Sequence, residues 1–382
     1  MLRKRVVFQR AYVGKVDISI MNQTPLSRLE ADLSGQGLDA MLITDPKHIY
    51  YLTGYASNPH ERFMGLMIAR GEDPLLIVPA LDADAAAAVS SVSNIATHSD
   101  TDNPYALFDR YQGRLSRVGL EKEYVTVSRY EQLSSALGGA SFEDVGSLLR
   151  ALRVNKTPDE VARIRHAIYL IEETLRQGLT HVRTGVTEIE LVAEMEYQMK
   201  KLGADGPSFD TMVLTGPKTG LPHGTPGDRK LQHGDLLMFD MGVYAGGYAS
   251  DITRTFAFGD ISPELQTIYN TVLAANQAAI QVVKPGITCA SVDHAARQVT
   301  IDAGYGERFM HRVGHGLGID VHEYPSLHGE NMDLLQAGTV FTIEPGIYTA
   351  AGGVRIEDDV LVTETGVEVL TTYPKELQIL TD

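Results

Sequence analysis

Acidic residues stand in this sequence where a sheet would be expected to bury aliphatic ones. Asp240 follows Leu236-Leu237-Met238-Phe239, and Asp251 precedes Ile252-Thr253 beyond the glycine pair Gly246-Gly247. Apolar runs on both sides of a glycine turn read as a β-hairpin, which sets the two aspartates on adjacent strands where they can face one side. Burying a carboxylate costs several kcal/mol unless something compensates it, so each Asp is either a metal ligand or the partner of a buried arginine such as Arg254. Glu344 in Phe341-Thr342-Ile343-Glu344-Pro345-Gly346 and Glu357 in Gly353-Val354-Arg355-Ile356-Glu357 repeat the oddity, with Gly352-Gly353 as a turn between them. A fourth segment, Phe309 to Glu323, holds three histidines and three glycines, a composition suited to close approach of a ligand. It is not the helical HExxH zinc motif, because His322-Glu323 runs on into Tyr324-Pro325-Ser326. Four strand-borne acids and one histidine would make an oxygen-rich site for two divalent cations, whose charge cancels the repulsion among the carboxylates. The donors are hard and free of thiolate, which suits Mn²⁺, Co²⁺ or Fe²⁺ and admits Zn²⁺.

The elements that must position these residues are readable in outline. Thr24-Pro25 with Leu26, Leu29 and Leu33 signals a helix start. Short apolar runs (40–43, 66–68, 75–78) alternate with a helix-like alanine stretch, which predicts an α/β domain with a buried sheet over 21–152. It has no glycine-rich phosphate loop. A second domain, 153–382, opens on the capping box Thr157-Pro158-Asp159-Glu160 and an apolar stripe from Val161 to Leu179. The chain then repeats itself: Val182-Arg183-Thr184-Gly185-Val186-Thr187 matches Val283-Lys284-Pro285-Gly286-Ile287-Thr288, and each copy precedes a helix-like segment ending in glycine, at Gly203 and Gly304. Two related α+β halves about a pseudo-twofold axis, with a site between them, is the predicted arrangement.

Composition limits the function classes. The 382 residues carry 33 Lys+Arg against 49 Asp+Glu, a net charge of −16, which argues against a nucleic-acid binder. Residues 1–20 are the exception, with +4, and read as a disordered extension ahead of Met21. The lone cysteine, Cys289, excludes an intrachain disulfide and any CxxC site. Apolar runs fall short of the roughly 20 residues that a membrane span needs.

Asp240, Asp251, His315, Glu344 and Glu357, in this order and with these surrounding glycines, resemble the five metal ligands of the pita-bread metallopeptidases. That family includes methionine aminopeptidase, aminopeptidase P, prolidase and the metal-free creatinase. The resemblance runs from Thr24 to the C-terminus, and Tyr51-Leu52-Thr53-Gly54-Tyr55 is similar to the creatinase/prolidase amino-terminal domain. Methionine aminopeptidases lack that domain and creatinase lacks the ligands, so the resemblance implies an Xaa-Pro peptidase. It further implies that His223 and His322 contact the substrate near the metals and that His311 and Arg355 line the proline pocket, with Arg355 alternatively bracing a ligand carboxylate. Glu344 is expected to act as ligand and base together, and His60-Glu61-Arg62 to cap a site, that of a partner subunit. The surroundings of Pro59–Phe63 and of 211–227 look more like bacterial proline dipeptidases than like aminopeptidase P. A cytoplasmic, manganese-loaded homodimer acting on small peptides with proline second is the expectation, with no role for nucleic acid or membrane. The rival from another class, a peptidase-like binding module, would be marked by lost ligands, and none is lost here.

Overall fold

The computed structural model describes residues 24–382; the basic stretch 1–20 and Met21 lie outside the described residues. The chain forms two compact units, one ending at Leu149 and the other spanning Arg150–Asp382. The division falls inside the helix Gly146–Val154.

The first unit is built on a six-stranded sheet. In spatial order its strands are Ile95–His98, Leu75–Pro79, Gly65–Ala69, Ala40–Ile43, Arg117–Leu120 and Ser141–Asp144. The three middle apolar runs are buried along their whole length, as short uninterrupted aliphatic stretches must be when both sheet faces are covered. Ala40–Ile43 pairs antiparallel with Gly65–Ala69 and parallel with Arg117–Leu120, giving a mixed sheet. The expected helix after Thr24 runs over Pro25–Gly35, and the alanine stretch forms the helix Ala83–Val89.

The second unit runs through one order of elements twice. Helix Pro158–Leu179 leads by a turn to helix Glu188–Lys201, and helix Pro263–Val282 leads by a turn to helix Cys289–Asp302. Thr187 and Thr288 cap the second helix of each pair through their hydroxyls. The glycine of each repeat, Gly185 and Gly286, takes a left-handed φ of 81° and 84° and donates its N–H to Leu231 and Leu335 respectively, both at 2.8 Å. The repeated sequence is thus a repeated turn. Each helix pair packs on its own mainly antiparallel sheet and core. The first holds Met212–Thr215, Asp235–Met241 and Ile252–Phe258, with Ile379–Leu380 at its edge; the second holds Glu323–Leu327, Gly314–Gly316, Val340–Ile343, Asp358–Val362 and Val367–Val369. Among the described residues no helix is long and apolar enough to cross a membrane.

One expectation needs correction. Only Asp240 and His315 lie within strands. Asp251 directly precedes Ile252–Phe258, Glu344 falls between Val340–Ile343 and Gly346–Tyr348, and Glu357 between Gly353–Arg355 and Asp358–Val362. At such breaks the backbone leaves the ladder, so a side chain is released from strict up-down alternation and can turn toward its neighbours.

Candidate metal centre

Strand pairing brings the first two acids together. Asp240 is directly opposite Thr253 in the ladder, Asp251 sits just ahead of that strand, and both carboxylates line one cavity. His315 arrives from the other half. Its strand is hemmed in on both sides: a Cβ on Gly314 would lie 1.8 Å from the Thr342 carbonyl oxygen, and one on Gly316 2.3 Å from that of Tyr324. Glycines at both positions are therefore required to seat the imidazole.

The five groups converge on the wall of one cavity of about 910 Å³. His315 Nε2 is 3.2 Å from Glu344 Oε1 and 3.8 Å from Asp251 Oδ2, and ligand atoms of Asp251, His315 and Glu357 all lie within 4.8 Å of one another. His315 Nδ1 faces the Gly316 carbonyl at 3.2 Å and its Nε2 faces the carboxylates. Carboxylates and an imidazole nitrogen gathered this closely are stable only with a proton or a cation between them. The electrostatics agree. Burial, followed by repulsion from Glu357, Asp240, Asp359 and Glu344, pushes Asp251 well above its usual range, and Glu357 is raised in the same way. Asp240 is raised by burial although Arg355 pulls it down. Burial acts against ionisation of Glu344 too, but its hydrogen bond with His315 and the nearby His311 and Arg355 outweigh it and hold the carboxyl at about 2. Two like charges 4 Å apart repel by about 4 kcal/mol at an effective dielectric of 20. Asp251 Oδ1, fully buried, has no hydrogen-bond partner among the described residues. An orphaned carboxylate oxygen among mutually repelling acids, with an imidazole nitrogen turned toward them, is a donor set that divalent cations fit.

The arginine question divides. Arg254, proposed as a partner for the aspartates, instead donates to Asp358 at 2.8 Å in a fully buried pair. Arg355 takes the bracing role. Its Nη2 donates to Asp240 Oδ2, its Nη1 to Tyr348 Oη at 2.9 Å and its Nε to Thr253 Oγ1 at 3.1 Å. Thr253 Oγ1 also donates to Glu357 Oε2 at 2.7 Å, so this hydroxyl links Glu357 to the arginine that holds Asp240.

The other histidines line the same cavity. His311 is held by both nitrogens, Nδ1 to the Arg312 carbonyl at 2.7 Å and Nε2 to Tyr348 Oη at 2.8 Å, and burial lowers its pKa. His322 is exposed toward the cavity, its ring centroid 4.1 Å from that of His315. Partial desolvation, then the neighbouring His315 and Arg312, push it down to about 4, so it is neutral at pH 7. His223 is an exposed residue of the loop after Gly216–Gly220. His60, in the first unit, has a left-handed φ of 54°, and its neighbour Arg62 pairs with Asp100.

Several residues of the site were not foreseen. Tyr348 joins His311 to Arg355, but in sequence it is one more apolar residue of a strand. Arg153 and Lys156 are another case. Arg153 donates to Asp320 Oδ2 at 2.6 Å and to Glu323, whose other oxygen pairs with Lys156 at 3.2 Å. This quartet, buried except for the half-buried Asp320, closes the 318–323 loop that carries His322. The Arg-x-x-Lys spacing just before the capping box was the available signal.

Fold and site together define a metal-binding protein of the pita-bread type. Residues 162–364 match metallopeptidase family M24, and residues 25–155 match the creatinase/prolidase N-terminal domain. An uncharacterized peptidase of Staphylococcus aureus is 44% identical over 353 residues, covering 92% of this chain and 100% of its own. Among solved structures, an Xaa-Pro dipeptidase from Bacillus anthracis superposes with a TM-score of 0.88 at 33% identity, covering 93% of this chain and 99% of that one. An X-Pro aminopeptidase from Thermotoga maritima gives 0.83 at 32% identity, covering 90% and 98%. The chain belongs to metallopeptidase family M24.

Proposed function

We propose that this metallopeptidase is a proline dipeptidase that hydrolyses the Xaa-Pro bond of dipeptides with two divalent cations, held by Asp240, Asp251, His315, Glu344 and Glu357. The observation that carries the reading is the meeting of these five groups in one cavity, with Asp251 Oδ1 unpartnered. Similarity to a dipeptidase that acts on Xaa-Pro supports the substrate. The thiolate-free donor set favours Mn²⁺, and a homodimer in the cytoplasm remains our expectation for the assembly, with 21–152 and 153–382 as its two domains.

When bound, the cations supply Lewis acidity, which polarises a carbonyl and acidifies water. The chain's own groups do the rest. Glu344, the carboxyl held in its ionised form, receives a proton from the attacking water and passes it to the proline nitrogen. Neutral His322 donates a hydrogen bond to the carbonyl oxygen as charge develops there, and His223 approaches the substrate from its loop. Arg355 and Thr253 keep Asp240 and Glu357 in place. The bond cleaved is a tertiary amide without an N–H, so selectivity must come from the ring and its carboxylate.

Hydrolysis of Ala-Pro and Ala-Pro-Ala-Pro by purified, Mn²⁺-loaded protein is the test. Faster cleavage of the dipeptide is expected. Faster cleavage of the tetrapeptide would reassign the protein as an aminopeptidase P, and failure to bind or respond to any divalent ion would revive the binding-module reading.

A further inference from the structure

The two halves of the second unit repeat one another down to the way the chain returns to each helix pair. Glu188 and Cys289 each follow a capping threonine and open the second helix of a pair. Ile189 N–H donates to the Gly227 carbonyl at 3.0 Å, and Ala290 N–H to that of Asn331 at 2.8 Å. Thr187 bridges to Lys230, and Thr288 to Leu334. The stretches that end there, 216–227 and 317–331, follow the strands Met212–Thr215 and Gly314–Gly316 and carry His223 and His322. At the helix start the halves differ. Cys289 is a buried thiol, whereas Glu188 is a fully buried carboxylate.

Glu188 reaches both ends of the His223 stretch. Its Oε1 accepts from Thr215 N–H at 2.8 Å and Thr215 Oγ1 at 3.0 Å, where the chain leaves the strand. Its Oε2 accepts from Gly227 N–H at 3.0 Å, where the chain returns, and from Lys218 Nζ. Lys218 Nζ also donates to the Thr225 carbonyl at 2.9 Å, two residues beyond His223. The stretch is docked on the 349–353 turn as well. Thr219 Oγ1 accepts from Gly353 N–H at 2.8 Å, and a Cβ on Gly220 would lie 2.2 Å from the Thr349 carbonyl oxygen. The fold alone does not call for a carboxylate at this helix start, because its counterpart is a thiol. Burying one is costly unless donors meet it, and here every donor belongs to the loop or to its two ends. The His322 stretch is braced by another buried ionic group, Arg153 and Lys156 on Glu323.

We propose that Glu188 and Lys218 are positioning residues for His223, the ion pair between them closing the 216–227 loop so that the imidazole stays on the cavity wall. The proposal rests on the peptidase reading above, in which His223 contacts the substrate. Without the pair the loop loses the tie between its interior and its two ends, and the imidazole is no longer held where the substrate needs it. The pair therefore acts on turnover through His223.

The test is a double-mutant cycle on the Mn²⁺-loaded enzyme with Ala-Pro as substrate, read beside amide hydrogen exchange. Lys218→Met should lower kcat/KM about 10-fold in the wild-type background and less than about 2-fold when His223 is already alanine. Lys218→Arg should restore part of the loss, and Glu188→Gln should act in the same direction as Lys218→Met. Peptides covering 216–227 should exchange faster in Lys218→Met, with metal content by elemental analysis unchanged. Equal losses in the two backgrounds, or unchanged exchange of the loop, would overturn the proposal while leaving the peptidase reading intact. A wild-type enzyme that cleaves neither Ala-Pro nor Ala-Pro-Ala-Pro would overturn both.

Discussion

Two groups of residues in this protein offer the same ligand types, and they are built for different ends. Asp45, His48 and Glu121 in the first unit and Asp251, His315 and Glu357 in the second each gather two carboxylates and an imidazole within 4.8 Å. In the first group the oxygens are met by donors. Glu121 Oε2 accepts from the Thr44 and Asp45 N–H groups at 2.6 and 3.0 Å, Glu121 Oε1 faces His48 Nδ1, and Asp45 Oδ1 caps the helix Pro46–Thr53 through Lys47 N–H at 2.9 Å. Of this group's buried side-chain atoms, only His48 Nε2, the nitrogen turned from those oxygens, lacks a partner among the described residues. In the second group acids outnumber donors, and a buried oxygen of Asp251 has none. Residue types alone do not make a metal site; the balance of donors to acceptors does.

The comparison can be broken by substitution. Glu357→Gln should lower turnover at least about 10³-fold, roughly 4 kcal/mol, and reduce the metal retained after dialysis, as read by elemental analysis. Normal metal content in that variant would refute the ligand assignment. Arg153→Met should cost about 3 kcal/mol of stability in urea unfolding, because it leaves Glu323 buried with Lys156 alone, and should lower kcat more than it raises KM by loosening the His322 loop. An unchanged kcat would make the quartet purely structural. Glu121→Ala should cost about 2 kcal/mol by stranding buried N–H groups, with metal content and kcat untouched. Loss of metal from this variant would erase the contrast between the two groups.

The last effect is a slope. Asp251 and Glu357 have folded pKa values raised above their unfolded ones, so in metal-free protein the folded state holds more protons. Stability should then be full below the ordinary carboxylate range and fall as pH rises through the folded values, by about 1.4 kcal/mol per pH unit for each acid. Thermal melts of chelator-treated and Mn²⁺-loaded protein at pH 5 and pH 8 check this. Parallel behaviour of the two forms would mean that the cations do not neutralise these carboxylates.

Local signals were legible wherever a few consecutive residues set the outcome. Thr157 and Thr187 cap their helices with the hydroxyl and the third-residue glutamate, a motif complete within four residues. The turn at Gly185 recurs at Gly286 because the same short sequence needs the same left-handed φ. The hairpin reading held for the antiparallel pairing of the two strands, and both aspartates line one cavity. Arg254 was misjudged for the opposite reason: its partner, Asp358, is 104 residues away, and only the packed sheet brings the two into contact.

The sequence by itself determined which acids had to be buried, the duplicated halves, and, by resemblance, the family to which the chain belongs. These follow from hydrophobic pattern, turn chemistry and residue type, all of which act over short stretches. Tertiary structure alone decided which oxygen of Asp251 lacks a donor among the described residues, which arginine braces the acids, and which histidines meet in the cavity. Those are questions of partner supply, and in a buried site the partners come from strands far apart in the chain, so that only the completed fold determines which group is satisfied and which remains open to a ligand.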